Sequence, residues 1–137
     1  MKILRILLIV PFLMAFQCDK EEPLPIDELD GTGIYGRWEL TDEVYGNISD
    51  LLPKCCEFYE FLPDDIPEDQ SGLWSYTDEF GVYEGVFTLD QGNQTILFER
   101  ENRTPLTIGY SLNDTNDYLE LSFLDGSNLV QGYIRRA

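Results

Sequence analysis

From Gly36 to Arg136 apolar and polar positions alternate in short runs, and turn residues separate the runs. A period of two places successive side chains on opposite faces of a strand. Gly36–Thr41 carries Trp38 and Leu40 on one face. Residues 57–62 (EFYEFL), 73–77 (LWSYT), 82–89 (VYEGVFTL) and 94–99 (QTILFE) follow. Then come Leu106, Ile108, Tyr110 and Leu112 in phase, and Leu119, Leu121 and Phe123 opposed by Glu120 and Ser122. Residues 130–136 (VQGYIRR) are the last run. Loops rich in Asp, Gly, Asn and Pro fall between them: Pro63–Gly72, Asp78–Gly81, Asp90–Asn93 and Asp125–Asn128. These residues suit tight turns. The stretch from Asn47 to Leu52 (NISDLL), just before Pro53, predicts a single helical turn. No stretch of this region keeps a helical period over ten residues. Eight short strands at even spacing predict an all-β domain, an antiparallel meander that closes into a barrel or folds as a small sandwich.

The first 22 residues follow a different pattern. Lys2 and Arg5 precede an apolar run of 11 residues, Ile6–Phe16. A membrane-spanning helix takes about 20 apolar residues, whereas the core of an export signal takes about 7–15. The run therefore predicts a signal peptide over residues 1–17. Cys18 ends it, and a cysteine at that place resembles the lipobox of bacterial lipoproteins. That resemblance implies a diacylglycerol on the Cys18 thiol, cleavage before it and acylation of the new amino group. Two or more acyl chains hold a protein stably at a membrane without a spanning helix. Lys20-Glu21-Glu22, directly behind Cys18, resembles the surface-export signal of Bacteroidota lipoproteins, which implies an outer-membrane anchor facing outward. Residues 18–33 are acidic, with Pro23, Pro25, Gly31 and Gly33, and read as a flexible tether. Residues 34–137 form the domain.

Charge and composition narrow the function. The formal net charge is −17, and it becomes −19 once Lys2 and Arg5 leave with the signal. Such a chain repels nucleic acid and anionic surfaces, since phosphate binding needs Lys and Arg. Histidine is absent, which excludes Ser-His-Asp and Cys-His chemistry and removes the commonest transition-metal ligand. With Cys18 lipidated, only Cys55 and Cys56 remain. Adjacent cysteines reach disulfide geometry only by distorting the backbone, and on a strand they point to opposite faces. No cofactor and no metal site is predicted.

The Gly36-x-Trp38 opening, followed by seven further short strands, resembles the lipocalin and lipocalin-like families. The resemblance implies an eight-stranded antiparallel up-and-down barrel. It also implies that a tryptophan near the start of the first strand closes the barrel floor and that an arginine at the end of the last strand packs across it. The matching residues are Trp38 and Arg136 or Arg135. Arg136 is preferred because it shares a face with Val130, Gly132 and Ile134.

Four candidate chemistries follow. Tyr83, Phe87, Ile108, Tyr110, Leu119, Leu121 and Phe123 are candidates to line a barrel interior holding a small apolar ligand, or to fill it solidly. Asp64, Asp65, Glu68 and Asp69 form an acidic loop without the spacing of an EF-hand. With 26 acidic residues, some carboxylate pair will sit at glycosidase spacing, but none is singled out. Tyr59, Trp74 and Tyr76 either stack on sugars or pack in the core. Asn47, Asn93, Asn102 and Asn113 open N-x-S/T sequons that matter only in a eukaryotic secretory host. The reading is a lipid-anchored, non-catalytic barrel that binds a small apolar ligand or a partner, in an oligomeric state the sequence does not specify. Its alternatives are a carbohydrate-binding accessory lipoprotein or a carboxylate-based glycoside hydrolase.

Overall fold

The computed structural model describes residues 28–46, 48–50 and 56–137, with the side chains of 48–50 left aside. The signal peptide, Cys18, Lys20, Glu21, Glu22, Asn47 and Cys55 lie outside the described residues.

Nine strands form one sheet: β1 (Gly36–Tyr45), β2 (Ile48–Asp50), β3 (Phe58–Pro63), β4 (Ser71–Asp78), β5 (Gly81–Asp90), β6 (Thr95–Arg100), β7 (Leu106–Leu112), β8 (Tyr118–Phe123) and β9 (Leu129–Arg136). From β3 to β9 each strand pairs antiparallel with the next, β3 pairs with β1, and β1 pairs with β9. The result is a closed, eight-stranded, up-and-down barrel without a free edge in its wall. The predicted helical turn over 47–52 is instead strand β2 at Ile48–Asp50. It pairs with Glu43–Tyr45 at the far end of β1, so ladder hydrogen bonds override a weak local preference.

Strand parity places the core. Trp38, Leu40, Phe61, Phe87, Leu89, Ile96, Phe98, Ile108, Leu119, Leu121 and Tyr133 point inward and are fully or almost fully buried. Acidic turns join the strands. Asp78 Oδ1 accepts from the Phe80 and Gly81 amides, Asp90 from Asn93, and Asp125 from Ser127. The side-chain bond from Asn93 is the main reason the Asp90 carboxyl sits below its usual range. These three carboxylates are therefore turn chemistry.

The floor is closed by β1, β9 and the segment that precedes β1. Trp38 is fully buried, and its Nε1–H donates to the Ile34 carbonyl at 2.9 Å. The Arg135 guanidinium carbon lies 4.3 Å from the Trp38 ring centroid, within cation–π range. The same guanidinium donates to the carbonyls of Asn116, Tyr35 and Gly33. Gly33 ends the 3-10 turn Asp30–Thr32 at φ +75, a left-handed conformation that costs glycine little. The floor arginine is thus Arg135, and the preference for Arg136 is corrected. Arg135 faces Trp38 directly across the β1–β9 ladder and shares the inward parity of Gln131 and Tyr133. Arg136 points outward and forms a half-exposed ion pair with Glu39.

The tether boundary also moves. Leu29 is fully buried in the core cluster and Glu28 N–H donates to the Pro67 carbonyl at 3.0 Å. Residues 28–33 therefore belong to the barrel, as a plug under its floor.

This arrangement ranks three substitutions. Trp38→Ala should cost about 3–5 kcal/mol, the range for emptying a large buried ring. Arg135→Ala should cost about 2–4 kcal/mol, through its carbonyl bonds and ring contact. Arg136→Ala should cost less than about 1 kcal/mol, as an exposed ion pair. Urea unfolding of the three variants checks the order, and equal losses for the two arginines would contradict the floor assignment.

Candidate functional site: an aromatic cavity opposite the floor

The two ends of the barrel differ. At the floor end and through the middle, Phe61, Phe87, Phe98, Ile96, Ile108, Leu119 and Leu121 interdigitate. Phe61 and Phe87 meet edge to face with centroids 5.1 Å apart, and Phe98 lies 6.1 Å from Phe61. At the other end lie the β4–β5 and β6–β7 hairpins and the start of β9. A cavity of about 580 Å³ opens there, lined by Tyr59, Trp74, Tyr76, Tyr83, Phe98, Leu106, Phe123 and Gln131, with Arg100 and Arg103 at its side. Its volume falls within the ~300–1,000 Å³ of small-molecule sites.

The aromatic wall is set by register. Tyr59 pairs with Tyr76 across β3 and β4, and Tyr76 pairs with Tyr83 across β4 and β5. The Tyr59 and Tyr76 rings are 4.7 Å apart, and Tyr76 stacks on Tyr83 at 6.2 Å. Trp74 meets Phe98 edge to face at 5.2 Å. Its Nε1–H donates to the carbonyls of Val86 (3.1 Å) and Glu99 (3.3 Å). The indole reaches those carbonyls because residue 85 is glycine. A Cβ there would lie 2.0 Å from the Glu99 oxygen and 2.8 Å from Trp74 Nε1.

Polar groups are held beneath and beside this wall. Tyr133 donates its hydroxyl to Gln131 Oε1, and Gln131 Nε2 donates to Glu43, both at 2.9 Å. Tyr76 donates to Glu57 at 3.1 Å. Burial pushes the Tyr59 and Tyr133 phenols well above their usual range. Burial, reinforced by the Glu57 charge, does the same at Tyr76. Outside the cavity, on the outer face of β8, burial and Asp42 hold Tyr118 up at about 12.

Of the seven predicted lining residues, Tyr83 and Phe123 line the cavity. Phe87, Ile108, Leu119 and Leu121 are buried and fill the barrel instead. Tyr110 is half-buried and sits toward the floor, its amide bonded to the Gln94 carbonyl. Of the two readings for Tyr59, Trp74 and Tyr76 the structure gives core packing: Tyr59 and Trp74 are buried in the core cluster and Tyr76 packs against it, and the three also line the cavity. Arg100 was not among the predicted site residues, although it stands in phase with Ile96 and Phe98, which marks it as inward-facing. In the acidic loop, Asp64 and Asp69 accept from the backbone amides of Ile66 and Ser71. Among the described residues no group of three or more acidic or cysteine side chains is placed to hold a metal ion. Cys56 is exposed at φ 85, beside Arg37 and Phe58 on the outer face.

The buried phenols make stability fall at alkaline pH. A phenol raised in the fold stays neutral there while the unfolded chain ionises near pH 10, so the native state binds the extra proton. This contribution is complete below pH 10 and is lost as pH climbs toward the raised values. Tyr59 and Tyr133 should each contribute a slope of about −1.4 kcal/mol per pH unit above pH 10. Urea unfolding at pH 9, 10 and 11 checks this, and Tyr59→Phe should lessen the total slope by about 1.4 kcal/mol per pH unit, leaving the shares of Tyr133 and Tyr76.

Compared with protein-family models, curated proteins and solved structures, the chain finds no match.

Proposed function

We propose that this chain is a lipid-anchored, surface-exposed lipoprotein whose lipocalin-like barrel binds a small apolar ligand, in a non-catalytic role. The observation that carries the binding half is the 580 Å³ cavity walled by Tyr59, Trp74, Tyr76, Tyr83 and Phe98 at one end of an otherwise filled barrel. The anchoring half rests on Cys18 behind an apolar run of 11 residues and on Lys20-Glu21-Glu22 after it. Inward aromatic faces suit an enclosed alkyl or aromatic body better than a sugar stacked on an open surface. They favour the apolar-ligand reading over the glycan one. The carboxylate of Asp78, at the cavity rim, is engaged by the amides of its own hairpin. It serves the turn, and a hydrolase would need it as an acid or base.

A neutral fluorescent probe, N-phenyl-1-naphthylamine, tests the cavity. Its emission should rise saturably with one probe per chain, and Tyr76→Ser should weaken binding about tenfold. A signal that never saturates would contradict the reading. The anchor is tested in cells of the source type. Cys18→Ser should abolish fatty-acid labelling, whereas replacing Lys20, Glu21 and Glu22 by Ala should preserve labelling and protect the protein from protease shaving of whole cells. Unchanged labelling of Cys18→Ser would remove the anchor.

A further inference from the structure

The cavity contains a cation that the fold itself uses only in part. Arg100 ends β6 with its side chain on the inward face. One of its terminal nitrogens, Nη2, donates to the Thr104 carbonyl at 2.7 Å. Its Nε is buried with no hydrogen-bond partner, and no carboxylate among the described residues pairs with it. A guanidinium offers five N–H donors in a planar fork, so most of this fork has no acceptor within the protein. Buried donors are almost always satisfied, and an orphan at the wall of a cavity points to an acceptor brought by a ligand.

Further features agree. Arg100 stands opposite Gly85 in the β5–β6 ladder, where the Trp74 indole takes the place of a side chain and forms the apolar surface next to the guanidinium. The Arg100 charge is felt at Tyr59, where it partly offsets the effect of burial on the phenol. The second arginine of the cavity, Arg103, lies over the Tyr83 ring at 5.9 Å and adds positive potential at the mouth. Among the other described arginines, Arg37 covers Phe58, Arg135 closes the floor and Arg136 pairs with Glu39.

We propose that the ligand of this cavity is an aromatic or alkyl monocarboxylate, its carboxylate held by the Arg100 guanidinium and its apolar body lying against Tyr59, Trp74 and Phe98. The proposal deepens the binding function proposed above and rests on it. The planar fork matches a carboxylate in two parallel hydrogen bonds. A single negative charge fits better than two, because Asp78, Glu84 and Glu101 stand around the mouth and the chain carries a net −17. A dianionic phosphate would meet that field twice over.

The test uses a matched pair of probes, 2-naphthoate and its methyl ester, read by quenching of Trp74 fluorescence over the constant emission of Trp38, which is buried at the floor. The acid should bind at least about tenfold more tightly than the ester at pH 7. Arg100→Gln should bring the ratio near one while leaving ester affinity unchanged, and that retained affinity shows that the cavity is folded. Arg100→Lys, which keeps the charge without the fork, should fall between, and it replaces Arg100→Gln if that variant does not fold. Arg103→Gln should reduce the preference by only about twofold, as expected of a mouth residue. Equal binding of acid and ester by the parent protein, or a preference that survives Arg100→Gln, overturns the carboxylate proposal and leaves the apolar cavity standing. Binding of neither probe overturns both.

Discussion

Closure of this barrel depends on one arginine held by backbone carbonyls. Arg135 lies on the Trp38 ring and donates to three backbone carbonyls, those of Gly33, Tyr35 and Asn116. These belong to the segment before β1 and to the β7–β8 turn, so a single planar group ties together the chain's approach to the barrel, its first strand, its last strand and a turn between. Carbonyl oxygens suit this task because they satisfy the fork without a second buried charge. Leu29 and Ile34, both fully buried, pack underneath and keep water away from the contact. The 3-10 turn and the left-handed Gly33 follow from the same need, since the Gly33 carbonyl must face the guanidinium.

A sealed floor accounts for the difference between the two ends. With about 100 residues in the domain, an eight-stranded barrel is just wide enough for side chains to fill. Phenylalanine, isoleucine and leucine fill it from the floor through the middle. Toward the far end the inward positions become Tyr59, Tyr76, Tyr83, Arg100 and Gln131, whose tyrosine rings pack along one wall and leave the space in front of them unfilled. The cavity arises there. Gly85 enlarges it by letting Trp74 lean onto the backbone of β5 and β6. The same arrangement makes the site aromatic on one wall and cationic on the other.

The strand pattern was largely legible because a period of two survives wherever one face is buried. All eight wall strands lie within a few residues of their alternating runs, and Trp38 stands at the floor. Parity alone did not reveal which face was inside when both candidates were arginines. Val130 and Ile134 made the Arg136 face look apolar, yet both are half-exposed, whereas the inward face carries Gln131 and Tyr133. The register shift between Leu40 and Asp42 further hides which residue of β9 meets Trp38. Strand β2 was missed because three residues hold no period, and only their pairing with β1 makes them a strand. The lining set was half legible: alternation identifies inward residues, but not their height along the barrel axis, so Phe87, Ile108, Leu119 and Leu121 could not be separated from Tyr83 and Phe123. Arg100 carried a readable signal, a charge in phase with Ile96 and Phe98 where a solvated arginine has no reason to stand.

Native-state hydrogen exchange resolved by NMR tests the floor most directly. If Arg135 and Trp38 hold the barrel shut, the amides of Arg37, Glu39 and Ile134, which face across the β1–β9 seam beside them, should open only with global unfolding. The tips of the β4–β5 and β6–β7 hairpins around the cavity should exchange far sooner. Exchange at the seam as fast as at those hairpin tips would contradict the account, because the barrel would then be open along the ladder that Arg135 is held to close.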